Sequence, residues 1–545
     1  MRLLRPLPRL VTQPLSAALL LAWVAQMALL GHRSCVQAGP MNLAADLARY
    51  GTAAQWRGIY YRGEKIGFSV SQTSPNPEGF ELLEDGRLQM SLLGATTVAK
   101  LHTRAQVDRA FDLRSFEFTL DPGTGPIGVS GRVDGRRLTL TLSTPGGATR
   151  TEQRMLDADP ALALNVPRRL AGAGLVTGTR HEFAVFDPAT LQNAPMVVQV
   201  GKREVVSVED RPLPAFRVEM QFAGLRITSW VTDTGEVVRE ESPMGIIVVR
   251  ESRGRAVSLA VPAQIQADLA EAAAVVPTSP RRIDDARAVR LLRMRIEGAE
   301  LSGPDVQGVG QVVNGDIVEI RDPQGFEPGP ADPEAARYLG PEPLIESDAP
   351  EIVAEAKAAV RGLSGRRERA ERLTRHVNAL LEKKPTVSLP SAREVLRTRV
   401  GDCNEHTALY VALARSLGIP ARVAVGLTHV HGAFYYHAWP EVYLEGPAGR
   451  GLWLPVDPTL NEFPADATHL RLARGGLDKQ TAILPLVGRI KMTVLDLQLA
   501  PGSTPTLVGR QPTPADRVRE RFDIPLPRRQ EGGGCWSSPS RAGGT

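Results

Sequence analysis

Residues 391–459 place the tightest limit on what this chain can fold into, because they join two signals of different period. Ser391, with Glu394 three residues on, reads as the entry to a short helix, Ser391 to Thr398, that stops near Gly401. A second helix starts at about Cys403, where Ala408, Leu409, Ala412, Leu413 and Leu417 recur at helical spacing until Gly418 and Pro420 end it. Three runs rich in Val, Leu, Tyr and Trp follow at 421–427, 435–444 and 452–456, separated by Gly and Pro. A buried helix followed directly by such runs predicts a helix packed on an antiparallel sheet.

Three residues in this stretch carry chemistry. Cys403 falls in the first turn of the second helix, where unpaired backbone N–H groups and the helix dipole favour a thiolate and can also stabilise an oxyanion. His437 lies inside the second strand, and Asp457 closes the third, just before Pro458. If those strands are antiparallel neighbours, the carboxylate can orient the imidazole, which gives a nucleophile, a base and an orienting group. Each residue also has a plainer reading. A lone cysteine is usually a core residue, a histidine between Tyr436 and Trp439 can be a core residue too, and Asp457 before Pro458 can simply begin a turn. Cys403 with His406, His429 and His431 raises a zinc alternative, set against the lack of a second Cys pair and the reading of His429 and His431 as a solvated Gly-containing hairpin loop.

The stretches GDCNEHTAL, RSLGIPARVAVG, YHAWPEVYL and WLPVDPT, in this order, resemble the transglutaminase-like core, a relative of papain-type cysteine hydrolases. His437 follows Cys403 by 34 residues and Asp457 follows His437 by 20, a spacing similar to that family's. The resemblance covers residues 346 to 470 and implies Cys403 as nucleophile, His437 as general base and Asp457 as orienting carboxylate. It also implies that Asp402, Arg422, Trp439 and Glu441 shape the cleft; the plainer readings are a core aromatic and an ordinary ion pair. Animal transglutaminases have an oxyanion-supporting tryptophan well upstream of the cysteine, whereas no Trp occurs here between Trp230 and Trp439.

At 545 residues the chain is too long for one core. The fold class expected is α+β: a papain-like transglutaminase core, with its N-terminal helices packed on an antiparallel sheet, preceded by a large antiparallel β-rich domain. Residues 1–38 read as a signal peptide, with an uncleaved membrane anchor as the alternative, because Arg2, Arg5 and Arg9 precede an apolar run from Leu15 to Leu30 that is short for a bilayer span. Residues 54–255 read as strands, with Asp134-Gly135 as the clearest hairpin signal. Residues 256–345 read as a helix and strand connector, including a helix from Gln264 to Val276. The core spans 346–470, with Asp348 and Glu351 capping its first helix and Ala370, Leu373, Val377 and Leu380 lining its second. A C-terminal strand extension covers 471–504 and a polar tail 505–545.

A net charge of +5 over this length, with no basic stripe interleaved with aromatics, argues against nucleic acid. Cys35, Cys403 and Cys535 supply no disulfide framework. No metal or cofactor is called for, and no calcium loop with alternating acidic ligands is present. The expectation is an exported enzyme of the periplasm or cell envelope that acts on protein or peptide substrates through a thioester, by hydrolysis or transamidation. The rival reading is a non-catalytic envelope module that binds peptides on the same fold.

Overall fold

The computed structural model describes residues 53–503, apart from short segments at 93–94, 122–125, 144–148, 223, 260–272, 304, 385–390, 447–448, 476–482 and 484–485. The expected N-terminal signal or anchor, most of the 264–276 helix and the 505–545 tail lie outside the described residues. Among the described residues, no helix is long and apolar enough to cross a membrane. The fold is α+β.

Residues 55–250 form one sheet of fifteen strands among the described residues, antiparallel throughout except for the parallel pairing of its last two-residue strand at 160–161. It runs outward from β1 (Gln55–Tyr61), in sequence order to β8 (Thr149–Met155) on one side. On the other side β1 pairs with β15 (Ile246–Arg250), and the order returns to β9 (Pro160–Ala161). Local turn chemistry sets these hairpins. Arg62 and Gly63 both take positive φ (49° and 86°) between the paired residues Tyr61 and Glu64, which is the backbone of a type I′ two-residue turn. Gly135, at φ 55°, and Arg136 form the turn between the paired Asp134 and Arg137, one residue on from the expected Asp134-Gly135 turn. The sheet folds around helix α1 (Val166–Gly172), whose Val166 and Leu170 pack with Val185, Val198, Val218 and Val231.

The second half holds two sheets on one core. The first is built from β16 (Val289–Glu297), β17 (Gln311–Asn314) and β18 (Ile317–Arg321), completed at its edge by β26 (Lys491–Leu499). The connector and the C-terminal extension are thus one sheet, because the alternating apolar faces of β16 and β26 pair with each other. The other sheet has the order β19 (Gly329–Pro330), β24 (Arg450–Pro455), β23 (Ala433–Glu445), β22 (Ala421–Val430) and β25 (Leu470–Gly475). This sheet therefore runs past residue 470, where the core had been expected to stop.

Helices α2 (Pro350–Ala359), α3 (Arg366–Leu380) and α4 (Ala392–Thr398) surround α5 (Cys403–Ser416), in which every residue from Glu405 to Arg415 is buried. The Asp348 cap is corrected: the N-cap of α2 is Ala349 without a side-chain bond, because Pro350 at the first position already lacks the N–H that needs a partner. Ser391 does cap α4, accepting from the Glu394 N–H. On α3, Ala370, Leu373 and Val377 face inward as expected. Tyr410 donates its hydroxyl to the Ala370 carbonyl at 2.9 Å, locking α5 to α3. The two halves meet at Leu344, whose side chain packs with the β-rich domain while its carbonyl accepts the Ala392 N–H at 2.9 Å.

Burying a leucine is worth about 1.5–3 kcal/mol, and a cavity adds to the loss. Leu409→Ala, at a fully buried site on α5, is expected to lower unfolding free energy by about 3 kcal/mol, read from the urea midpoint at unchanged slope.

Candidate active site

The site is assembled at the start of α5. The Asp402 side chain accepts the Asn404 N–H at 3.0 Å, and Glu405 reaches back to the Asp402 N–H at 2.8 Å, closing a capping box. Gly401 is required there, since a Cβ would lie 2.2 Å from Glu405 Cβ. The cap fixes the first helical residue, Cys403, which is half-buried. Asp402 thus acts on the site through the helix start.

Strand β23 supplies the next contact. Its pairing with β24 covers only Glu441 to Glu445, so the backbone of Ala438 turns to α5 instead. Thr407 donates its hydroxyl to the Ala438 carbonyl at 3.1 Å, and the Ala438 N–H donates to the Cys403 sulfur. Two side chains one helical turn apart therefore hold the strand beside His437.

His437 directs Nε2 to Asp457 Oδ2 at 2.7 Å, and its ring stacks on Trp439 with centroids 6.0 Å apart. Asp457 is fully buried, just past the end of β24. Its Oδ1 accepts the Thr459 and Leu460 N–H groups at 2.7 and 2.9 Å. Its Oδ2 is shared with a second imidazole, His469 Nε2 at 3.1 Å. Asn378 of α3 donates to the Pro458 and Thr459 carbonyls at 2.8 and 3.1 Å, which anchors this loop to the helical layer.

Burial alone would raise the Asp457 carboxyl, but the charges and hydrogen bonds of His437 and His469 hold it well below the usual carboxylate range. For Cys403 the balance goes the other way. Burial pushes the thiol well up, the Asp402 carboxylate adds to this, and the Ala438 N–H opposes it. Burial and the acidic cap thus work against the thiolate that the helix start was expected to favour.

Trp439 is fully buried, and Arg422 meets Glu441 directly across the strand pair at 2.7 and 2.8 Å. Burial would raise the Glu441 carboxyl, but Arg471 and Arg422 bring it down to about 2. Arg422 stacks over the Trp453 ring at 3.8 Å. Arg422, Trp439, Trp453, Arg471, Arg474 and His469 border a cavity of about 130 Å³.

The zinc alternative does not assemble. His406 is buried, with Nδ1 on the Asp402 carbonyl at 2.6 Å, and burial lowers it to about 4. His429 is a buried member of β22 that accepts the Gly432 N–H at 3.0 Å, rather than a solvated loop residue, because β22 runs on to Val430 before turning. Among the described residues, the groups close enough to share a metal are His437, Asp457, His469 and Glu462, Asp466, His469, neither of which includes Cys403 or those histidines.

His469, Asp466 and Arg471 escaped the sequence reading. The available signal was the Asp-x-x-His step from Asp466 to His469, nine to twelve residues past Asp457.

Residues 354–458 match the Transglutaminase-like superfamily, and this part of the chain is a transglutaminase-like core. The match supports, in general terms, a cysteine-dependent enzyme. No curated protein matches the chain. Among solved structures, a candidate cysteine protease from Cytophaga hutchinsonii is 16% identical over 41% of this chain and 91% of its own, with a TM-score of 0.28. A β-barrel-like protein from Brucella abortus, of a domain of unknown function, is 14% identical over 36% and 96%, at 0.29. A candidate protease from Parabacteroides distasonis is 11% identical over 64% and 65%, at 0.19. These overall likenesses are slight.

Two buried histidines set the pH limits of this half. His406 has an ordinary value of 6.5 and a folded value of about 4, so the unfolded chain takes up its proton first and stability falls as pH drops from 6.5 to 4. In His469, burial opposes protonation, but Asp457 and Asp466 raise it from 6.5 to about 10; its contribution is complete below 6.5 and lost as pH rises through 10. Thermal unfolding between pH 4 and 10 is expected to show a maximum near 6.5, and His406→Asn is expected to flatten the acid side.

Proposed function

We propose that the chain is a cysteine-dependent acyl-transfer enzyme acting on protein or peptide carbonyls, with hydrolysis as its main outcome and transamidation where an amine enters. The observation that carries this reading is that the N–H of Ala438, next to His437, bonds the Cys403 sulfur within reach of the Asp457 charge, while Nε2 of His437 sits on that carboxylate. That leaves Nδ1 to serve the thiol. His437 accepts the S–H proton as the sulfur attacks the carbonyl, and then passes it to the departing amine. Asp457 stabilises the imidazolium formed between these events. The first turn of α5 stabilises the oxyanion with its N–H groups. Water or an amine then releases the acyl group from Cys403.

The reading extends to location. The basic and apolar N-terminal segment supports export to the periplasm or envelope, where substrates would be envelope proteins or peptides. The rival reading, a non-catalytic peptide-binding module, draws on one observation, the raised Cys403 thiol. It leaves unexplained why a carboxylate is buried to orient His437.

Dimethylated casein with a biotin-tagged primary amine tests the outcome. New amino termini without biotin are expected, biotin incorporation would assign transamidation, and neither product would favour the binding module. His437→Ala is expected to lower turnover by about 10²–10⁴.

A further inference from the structure

His469 lies beyond the segment matched by the family, which ends at residue 458. Both of its ring nitrogens face oxygen. Nε2 meets Asp457 Oδ2 at 3.1 Å and Thr428 Oγ1 at 3.5 Å. Nδ1 meets the Asp466 carbonyl at 3.1 Å and Asp466 Oδ1 at 3.2 Å. A neutral imidazole has one N–H and one lone pair, so it would turn that lone pair against an acidic residue's oxygen at one end. Only the imidazolium donates at both. Asp466 is itself fixed, accepting the Thr468 N–H at 2.9 Å and hydroxyl at 2.5 Å, while its own N–H donates to Glu462 at 3.1 Å.

We propose that His469 is a positioning residue for the Cys403–His437 pair: a resident imidazolium that takes up part of the Asp457 charge and so keeps the proton on Cys403 until a carbonyl is attacked. This rests on the reading of Cys403 and His437 as the reacting pair. Asp457 Oδ2 is shared by two imidazoles whose centroids lie 5.9 Å apart. With His469 already charged, a second cation on His437 is opposed by its neighbour and gains less from the carboxylate. In the reaction the S–H proton passes to His437 as the C–S bond forms, and His469 neither gains nor loses one.

The other charged groups around His469 leave this relation in place. Asp457 and Asp466 face it from the loop after β24, and His437 from β23. Arg422 of β22 and Arg471 and Arg474 of β25 border the shared cavity, with Glu441 of β23 bonded to Arg422 and Arg471. The charges that bear on the Cys403 sulfur are Asp402, Glu405 and Asp457. His469 thus acts through Asp457 and His437.

The test uses the full chain and iodoacetamide, with Cys403 alkylation followed by mass spectrometry from pH 5 to 9. His469→Gln removes the charge and keeps an amide donor for Asp457. Cys403 is expected to react roughly tenfold or more faster at pH 7 in this variant, since a unit charge removed 5.9 Å away shifts proton affinity by about a pH unit or more. Asp466→Asn, which weakens one acceptor and leaves the ring in place, is expected to move the rate the same way by less. A folded His469→Gln protein whose pH profile superimposes on the native one would overturn the proposal and leave His469 a structural residue. If that variant does not fold, Asp466→Asn and the ring ¹⁵N spectrum of the native chain decide. Imidazolium signals from His469 at pH 8 support the proposal, and a neutral tautomer's signals overturn it. Native alkylation indifferent to His437→Ala would sink the pair itself, and the role of His469 with it, even with His469 visibly protonated. The two failures therefore read differently.

Discussion

The carboxylate of Asp457 is the constraint on which the catalytic half depends. A buried carboxylate is costly unless its oxygens are hydrogen-bonded and its charge is met. Here two backbone N–H groups take one oxygen and two imidazoles the other. Those four donors come from β23, from the loop after β24 and from His469 just before β25, so satisfying one anion fixes how these pieces meet. Asn378 of α3 holds the same loop from the helical side. The orientation of His437 follows from this arrangement rather than from its own strand alone.

A second constraint is that Cys403, the proposed nucleophile, starts a helix that is buried from Glu405 to Arg415. An all-round buried α5 needs a start that leaves no polar group unmatched, and the Asp402–Glu405 capping box provides it. The same two carboxylates, with burial, hold the Cys403 proton on the sulfur. Structural stability and thiol activation thus pull in opposite directions at one residue. On the proposed reading, with His437 as the base, the thiolate is made during the reaction and not stored.

Much of the catalytic core was legible in the sequence because its signals are local. Ser391 with Glu394, the stripe from Ala408 to Leu417, and the runs around His437 each report on neighbours a few residues away. The hairpin next to Asp134-Gly135 was legible, to within one residue, for the same reason. Long-range relations were not. The pairing of β16 with β26 joins residues about two hundred positions apart, and nothing within either strand names the other. His469 was missed because a lone histidine in a mixed stretch carries no signal until Asp457 and Asp466 are brought to its two nitrogens. The helix start at Cys403 is a local signal, whereas the burial and the Asp457 charge that raise its thiol are set by the tertiary fold.

The most direct measurement is to trap the acyl-enzyme. The chain would be mixed briefly with p-nitrophenyl acetate, quenched in acid, and digested for mass spectrometry, alongside His437→Ala. The account predicts an acetyl thioester on Cys403 that forms rapidly in the native chain, disappears on standing, and is strongly reduced in the variant. Acetyl groups spread over lysines and equal in both proteins, with Cys403 unmodified, would contradict it.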